Sequence, residues 1–251
     1  MPARGASGAA ALAAGLALTS LACARLIPPP ASPEPAASPR PKAPGSSPTP
    51  AGTGTVSVHT LPDGSLEVID HELGCRFVLP GAWWAVPLQD LPLEAALEQA
   101  GALRPELAPL LDALGPGLSE NARLVALHAD PAPLLAGFPR TAVLASLGPR
   151  RQPLPVLLDI TALALQAIVP ETGSIERGLQ QSAAGLPFGR IDVRLPAPAP
   201  GERNLALDVN TAFFESAGQL VALVLITPAG APEGSAALFD SILASLALAP
   251  G

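Results

Sequence analysis

Alternating apolar and polar residues fill positions 56–60 and 66–70, and this pattern predicts two β-strands. Pro62-Asp63-Gly64 separates the two runs, and Asp-Gly between alternating runs is a strong hairpin signal. We expect a three-residue loop with Gly64 in the left-handed conformation. Such a loop places His59 opposite Glu67 on the neighbouring strand.

A third strand is predicted over residues 73–79, where it ends at a Pro-Gly pair. Cys75 lies on its apolar face together with Phe77, so we interpret Cys75 as a small core residue. Trp83 and Trp84 follow directly and are candidates for a ligand-stacking surface at the rim of a groove. The alternative is one tryptophan in the core and one half exposed.

The middle of the chain mixes helical and strand patterns. Apolar residues at helical spacing predict an amphipathic helix pair between residues 90 and 114. Two short apolar strands follow, and the almost wholly apolar segment from Leu154 to Val169 predicts a buried helix. The two short strands lie at 123–128 and 141–147. The remaining predicted elements are strands at 174–181, 189–195, 205–215 and 219–227, and a final helix that Ser235 caps. This order of elements predicts an α+β fold, a three-layer sandwich around an antiparallel sheet.

The first 23 residues have the features of a secretory signal. Arg4 precedes an apolar run from Ala9 to Ala22, which is too short to span a bilayer as a helix. Ser20-Leu21-Ala22-Cys23 resembles a bacterial lipobox, in which the cysteine is diacylated and becomes the new N-terminus. Alternatively, Ala22-Cys23-Ala24 is an ordinary signal-peptidase site, and the product is a soluble periplasmic or secreted protein.

Residues 24–54 are rich in Pro, Ala and Ser, a composition that cannot bury enough apolar surface to fold. We expect a disordered tether of partly polyproline II character. The predicted organisation is therefore a signal peptide at 1–23, a tether at 24–54 and one α+β domain at 55–248.

The overall charge narrows the classes of partner. The chain has a formal net charge of -7 and no sizeable cluster of Lys and Arg, which argues against a nucleic-acid partner. Its two cysteines, Cys23 and Cys75, offer no disulfide framework. Arg150 and Arg151 form an isolated basic pair that we assign to a solvated turn.

No enzyme motif is found in the sequence. A G-x-S-x-G elbow, a P-loop and a G-x-G-x-x-G loop are all missing, and the only lysine lies in the tether. His71-Glu72-Leu73-Gly74-Cys75 begins like a zinc-binding H-E-x-x-H motif but has Cys at the second histidine position. The hairpin register separates His59 from His71 by about 13 Å at about 3.3 Å per residue, so we predict no metal site and no cofactor.

Two passages resemble a known family. The segment from Asp70 to Trp83, with Gly74, Phe77 and Pro80, is similar to the G-x-x-F-x-x-P-x-x-W start of PsbP-like domains. The segments 221–228 and 239–246 resemble the last strand and helix of those domains. The resemblance implies an α/β/α sandwich with a mostly antiparallel sheet, found in bacterial lipoproteins and usually without catalytic activity.

These observations predict a non-enzymatic envelope lipoprotein, held at the membrane through Cys23, whose domain is a protein-binding or assembly module. The alternative is a carrier of a lipid or another apolar ligand, with its pocket beneath the apolar helix at Leu157 to Ile168. An apolar cavity under that helix favours the carrier, whereas a filled core with an exposed apolar patch favours the protein binder.

Overall fold

The computed structural model describes residues 55–88, 121–128, 140–167, 169, 173–195, 206–229 and 234–249. Cys23, the predicted signal peptide, the predicted tether and the helix pair predicted between residues 90 and 114 lie outside these residues. Two antiparallel sheets and two helices make up the described part, so the predicted α+β class is confirmed.

Hydrogen bonding sets the bounds of the elements. The strands are β1 Val56–Thr60, β2 Leu66–Asp70, β3 Cys75–Leu79, β4 Trp83–Pro87, β5 Ala122–His128, β6 Thr141–Pro149, β7 Ser174–Gln181, β8 Pro187–Leu195, β9 Leu207–Ser216, β10 Gln219–Pro228 and β11 Ala247–Leu248. The helices are α1 Leu154–Gln166 and α2 Ser235–Ser245.

The smaller sheet has the order β1-β2-β3-β11 and contains the predicted hairpin. His59 pairs with Glu67, as expected, and Gly64 has a φ of 85° in the loop. The Leu61 N–H donates to the Ser65 carbonyl at 2.8 Å, which closes a three-residue loop. The hairpin prediction is therefore confirmed, including its register.

The larger sheet has seven strands in the order β4-β5-β6-β10-β9-β8-β7. Helix α1 packs over β7 and β8 on one face, while α2 packs against β9 and β10 on the other and also contacts β3. The layers are therefore α1, the seven-stranded sheet, and α2 with the small sheet. This confirms the sandwich but corrects the single predicted sheet to two sheets, because β3 pairs with β11 instead of joining the larger sheet.

Each face of the larger sheet carries its own hydrophobic cluster. Phe213 and Phe214 are neighbours on β9 and belong to different clusters, because successive side chains of a strand point to opposite faces. Phe214 packs with Phe77 and Phe239 beneath α2, and Phe213 packs beneath α1. Burying a side chain of this size contributes about 1.5–3 kcal/mol, so both faces stabilise the fold.

Two helix predictions need correction. Ser235 is the first residue of α2 and not its cap, because its hydroxyl donates to the Asp208 carboxylate on β9 at 3.0 Å and the cap position is Gly234. The segment predicted as a buried helix forms α1 over Leu154–Gln166, but only one of its faces is buried. The opposite face is exposed, since α1 is an outer layer of the sandwich.

Candidate functional site

The outer side of α1 carries an apolar stripe. Val156, Ile160 and Leu163 recur at intervals of four and three residues, so they lie along one line of the helix. Val156 is 41% exposed and Leu163 is 70% exposed, while Ile160 is partly exposed. We call these three residues the outer stripe. Contiguous exposed apolar side chains of this kind mark interaction surfaces more often than isolated ones do.

The inner side of α1 is closely packed. Leu157, Leu158 and Leu165 are buried in the cluster that joins α1 to the larger sheet. Gly189 of β8 lies directly under Leu158: a Cβ atom at Gly189 would lie only 2.9 Å from the Leu158 side chain. The helix therefore approaches the sheet closely at this point, and glycine permits the approach.

Strand β7 lies at the end of the larger sheet, beside α1. Among the described strands it pairs with β8 alone, over the full length from Ser174 to Gln181. Its side facing α1 presents Leu179, which is 58% exposed, and Arg177, which pairs with Asp159 of α1 at 2.9 Å. The outer stripe and the free side of β7 are therefore adjacent parts of one surface.

The opposite side of β7 and β8 is acidic. Glu176 on β7 pairs with Asp192 on β8, and Asp240 of α2 contributes another carboxylate. We call Glu176, Asp192 and Asp240, together with Gly178 of β7, the acidic shelf. Asp240 is 61% exposed, so the shelf is open to solvent.

Arg190 connects the members of the shelf. Its guanidinium donates to Asp192 at 2.9 Å and to Asp240, and it lies 5.4 Å from the centre of the Phe239 ring. Burial disfavours the charge of Arg190, but the hydrogen bonds to Asp192 and Asp240 outweigh this effect and raise its pKa. Arg190 is therefore a fixed positive charge that holds α2 to β8.

Arg194 lies near the C-terminal end of β8 and pairs with Asp208 of β9. Its Nε donates to the Asp208 carboxylate at 2.7 Å. The hydrogen bond and the charge of Asp208 raise the pKa of Arg194, and Glu176 adds to the effect. This region thus contains two guanidiniums, those of Arg190 and Arg194, and four carboxylates (Glu176, Asp192, Asp208 and Asp240). The local charge is net negative.

The two candidate tryptophans occupy different environments. Trp83 is buried in the cluster beneath α2, where its Nε1 donates to the Pro80 carbonyl at 2.9 Å and its ring meets His128 edge-on at 4.9 Å. Trp84 is half buried on β4, where it pairs with Leu127. The two rings therefore point to opposite faces of the sheet and form no shared stacking surface.

The residues considered for a metal site are dispersed. His71 contacts the Ser57 hydroxyl at 3.0 Å, whereas His59 pairs with Glu67 further along the hairpin. Cys75 is fully buried, and burial, with a smaller contribution from Asp70, raises its pKa to about 12. No group of three metal-ligating side chains occurs among the residues that the structure describes.

Other charged side chains pair locally. Arg150, from the predicted solvated turn, pairs with Glu215 at 2.9 Å, with both side chains partly exposed. Sequence reasoning missed the acidic shelf and the outer stripe, because both depend on which strands are neighbours. Within the described ranges, no helix is long and apolar enough to cross a membrane.

The architecture defines an α+β sandwich domain with an exposed helix face and sheet edge. No protein-family model matches the chain, and no curated protein matches it. The chain is similar to the solution structure of cyanobacterial PsbP (CyanoP) from Synechocystis sp. PCC 6803, with a TM-score of 0.44 and 11% identity over 81% of this chain and 98% of that one. It is also similar to a mutant of the protein Mog1, with a TM-score of 0.40 and 10% identity over 73% and 95% of the two chains.

The resemblance to PsbP proteins that the two ends of the domain indicate is thus found by structural comparison as well.

Proposed function

We propose that this chain is a non-enzymatic lipoprotein of the bacterial envelope whose α/β/α domain binds another protein through the outer stripe of α1 and the neighbouring β7. The observation that carries the proposal is the contrast between the two sides of α1. Its inner side is filled by Leu158 against Gly189, and its outer side leaves Leu163 70% exposed. Exposed large apolar side chains on an ordered helix favour association with a partner.

The same contrast weighs against the carrier alternative. A carrier of an apolar ligand needs a cavity of about 300 Å³ or more, lined by apolar side chains. The carrier alternative places this cavity beneath the apolar helix at Leu157. The contact of Leu158 with Gly189 leaves little room between α1 and the sheet at that point, so it favours the protein binder.

The charged groups of the described residues support a non-enzymatic role. Asp70, Asp208 and Asp192 each accept hydrogen bonds from an arginine, and Asp70 and Asp208 are buried. Catalytic carboxylates and thiols usually have a pKa moved toward neutrality. Cys75 has the opposite shift, since burial raises its pKa to about 12.

The envelope location is part of the proposal and depends on the leader. Cys23 follows the apolar run in a lipobox-like segment, and the Pro-rich residues 24–54 separate it from the domain. About thirty residues of polyproline II extend about 90 Å, which is enough to carry the binding face away from a membrane. Intact-mass measurement tests this part: a chain that starts at Cys23 with a diacylglyceryl addition supports it, and an unmodified chain that starts at Arg25 contradicts it.

Affinity capture with a pair of matched variants tests the binding face. Leu163→Glu places a charge in the outer stripe, while Leu248→Glu makes the same change at a 55% exposed leucine of the small sheet, away from α1. The full chain and both variants are used to capture partners from native envelopes. Proteins and lipids are then identified by mass spectrometry.

We expect the wild type and Leu248→Glu to capture the same protein partner. Leu163→Glu should capture at least about tenfold less of it, since a buried charge disrupts an apolar contact. Both variants should keep the wild-type stability within about 0.5 kcal/mol, because they change exposed positions. Capture of the same proteins by Leu163→Glu and by the wild type would refute the role of the outer stripe. Stoichiometric co-purified lipid without a protein partner would support the carrier instead.

A further inference from the structure

Among the described residues, β7 pairs with β8 alone, so the backbone groups on its other edge have no described strand as partner. In an antiparallel ladder every second residue directs its N–H and C=O groups away from the neighbouring strand. Strand β7 is eight residues long, runs without a register shift against β8 and contains no proline. Edge strands of soluble proteins are normally short, bulged or covered. A long and regular edge such as β7 can accept a further strand.

The two faces of β7 differ in chemistry. On the side of α1 it presents Ile175, Leu179 and the neutral pair of Arg177 with Asp159. On the other side it presents Glu176, which leads onto the acidic shelf and its net negative charge. A strand added beside β7 continues both faces of the sheet, because cross-strand neighbours share a face. Its side chains therefore meet apolar surface and acidic surface in alternation.

Gly178 leaves a gap in the acidic face. It pairs with Arg190, and a Cβ atom built at Gly178 would meet no heavy atom within 4 Å apart from those of its two neighbours in the chain. A glycine inside a strand weakens the strand, and it often marks a place where another chain approaches closely. The gap lies between Glu176 and Gln180, which point to the same face. A long basic side chain has room to cross β7 there and reach the carboxylates.

We infer that β7 binds an extended segment of the partner protein, which adds to the larger sheet as an eighth strand and alternates apolar with basic residues. The inference rests on the proposed function and states which class of partner the surface accepts. The apolar residues face Leu179 and α1, and the basic residues face Glu176 and the gap at Gly178. Backbone hydrogen bonds supply affinity, and the alternation supplies specificity.

Charge complementarity favours such a partner over a second copy of this chain. If two β7 strands paired across a two-fold axis, opposite residues would have to point to the same face of the continued sheet. Glu176 and Arg177 point to opposite faces, so no such register places one against the other. Registers centred on residue 176 or 177 place like charges in opposition, and the register centred on Gly178 sets Glu176 opposite Gln180. Self-pairing leaves the acidic face unmatched.

Two substitutions on β7 test the inference in the intact chain. Gly178→Val fills the gap. Valine suits strands, and a Cβ atom at this position meets no heavy atom within 4 Å apart from those of its two neighbours in the chain, so the fold should keep or raise its Tm. Glu176→Lys reverses the charge at an exposed position. The matched controls are Ser57→Val on β1, the edge strand of the small sheet, and Glu67→Lys on β2.

The probe is a capped eight-residue peptide that alternates Arg and Val, with binding followed by fluorescence anisotropy. We expect it to bind the wild type and both controls, and to bind Gly178→Val and Glu176→Lys at least about tenfold more weakly. A peptide with Glu in place of Arg should also bind at least about tenfold more weakly. N-methylation of alternate residues should abolish binding, because it removes the backbone donors.

Equal binding to the wild type and both β7 variants would overturn the inference, and so would a lack of effect of N-methylation or no binding of the Arg-Val peptide at all. A dimer in sedimentation that Gly178→Val dissociates would overturn the choice of partner in favour of a second copy.

The strand-addition inference and the proposed function can fail separately. A captured protein that depends on Leu163 but not on Gly178 or Glu176 supports protein binding through the outer stripe and removes the strand-addition inference. Capture that is insensitive to Leu163→Glu removes the role of the outer stripe, whatever the peptide does.

Discussion

The Arg123 guanidinium and the Asp70 carboxylate form a buried ion pair that joins the two sheets. Arg123 lies on β5 of the larger sheet, and its Nε and Nη2 both donate to Asp70 at the end of β2, with Nη2 to Oδ1 at 2.8 Å. Asp70 also accepts the backbone N–H of Leu73 at 2.8 Å, and Arg123 donates to Glu72 at 2.9 Å. Both charges are therefore satisfied away from water, so the pair fixes how the small sheet lies on the large one.

Removing one partner of this pair should be far more damaging than removing its exposed neighbour. Arg123→Ala leaves the fully buried Asp70 carboxylate without its counter-ion, and we expect a loss of about 3–5 kcal/mol in the free energy of unfolding. Glu72→Gln changes a carboxylate that is 62% exposed, so we expect a loss of less than about 1 kcal/mol. Urea unfolding measures both values. A loss of less than 1 kcal/mol for Arg123→Ala would show that the pair does not hold the sheets together.

Two glycines on neighbouring strands should respond in opposite ways to the same substitution. Gly189→Ala places a methyl group 2.9 Å from Leu158, which forces α1 away from the sheet and should destabilise the domain by about 1–3 kcal/mol. Gly178→Ala meets open space, and it should stabilise the domain by about 0.4–1 kcal/mol by restricting the unfolded chain. Thermal unfolding of the two variants under identical conditions checks the pair. Equal shifts in Tm for the two variants would mean that the Leu158 side chain can move away from the methyl group of Gly189→Ala.

Local signals in the sequence were sufficient for the hairpin. Pro62-Asp63-Gly64 specifies its own loop, and the loop length then fixes the register that sets His59 against Glu67. The strands from β5 to β10 also follow from the sequence, because short apolar runs bounded by Gly and Pro are strong strand signals. These predictions needed no information from distant parts of the chain.

Features that depend on distant residues could not be predicted. The split into two sheets depends on the pairing of Cys75 with Leu248, and the partner of Asp70 is 53 residues away in the sequence. Ser235 has the residue type of a helix cap, but its hydroxyl donates to the carboxylate of Asp208, which lies 27 residues earlier in the sequence. In α1 almost every position is apolar, so periodicity could not tell which face meets the sheet. The outer stripe can be identified as the exposed face of α1 only once β7 and β8 are known to lie beneath the helix.

The buried thiol of Cys75 should be unreactive in the folded domain. Cys75 is fully buried in the cluster beneath α2, and burial raises the pKa of its thiol to about 12. The nucleophile that attacks a thiol reagent is the thiolate, which is scarce at pH 8 for such a group. We expect a thiol reagent to modify Cys75 only in denaturant, as judged by mass spectrometry of peptides. Modification in native buffer at the rate of a small free thiol would contradict the burial of Cys75.

The same pKa makes the stability of the domain fall in alkaline solution. Since the pKa is raised from an ordinary value of 9.0 to about 12, the unfolded chain loses the thiol proton first as the pH rises. The contribution of Cys75 to stability is therefore complete below about pH 9 and declines between about pH 9 and pH 12. Between pH 8.5 and pH 11 the free energy of unfolding should fall by roughly 2–3 kcal/mol through this group.

Few other groups titrate in this range, because the chain has no tyrosine and its only lysine is Lys42 in the tether. Cys75→Ala is the matched control: it lowers stability at pH 8.5 by removing a buried side chain, but it should make the stability nearly independent of pH up to pH 11. Urea unfolding of the wild type and Cys75→Ala at four or five pH values, with reductant present, gives the dependence of the free energy of unfolding on pH for each protein. A decline of the same size in Cys75→Ala would assign the alkaline loss to other groups and would show that the Cys75 proton is not held more tightly in the folded domain.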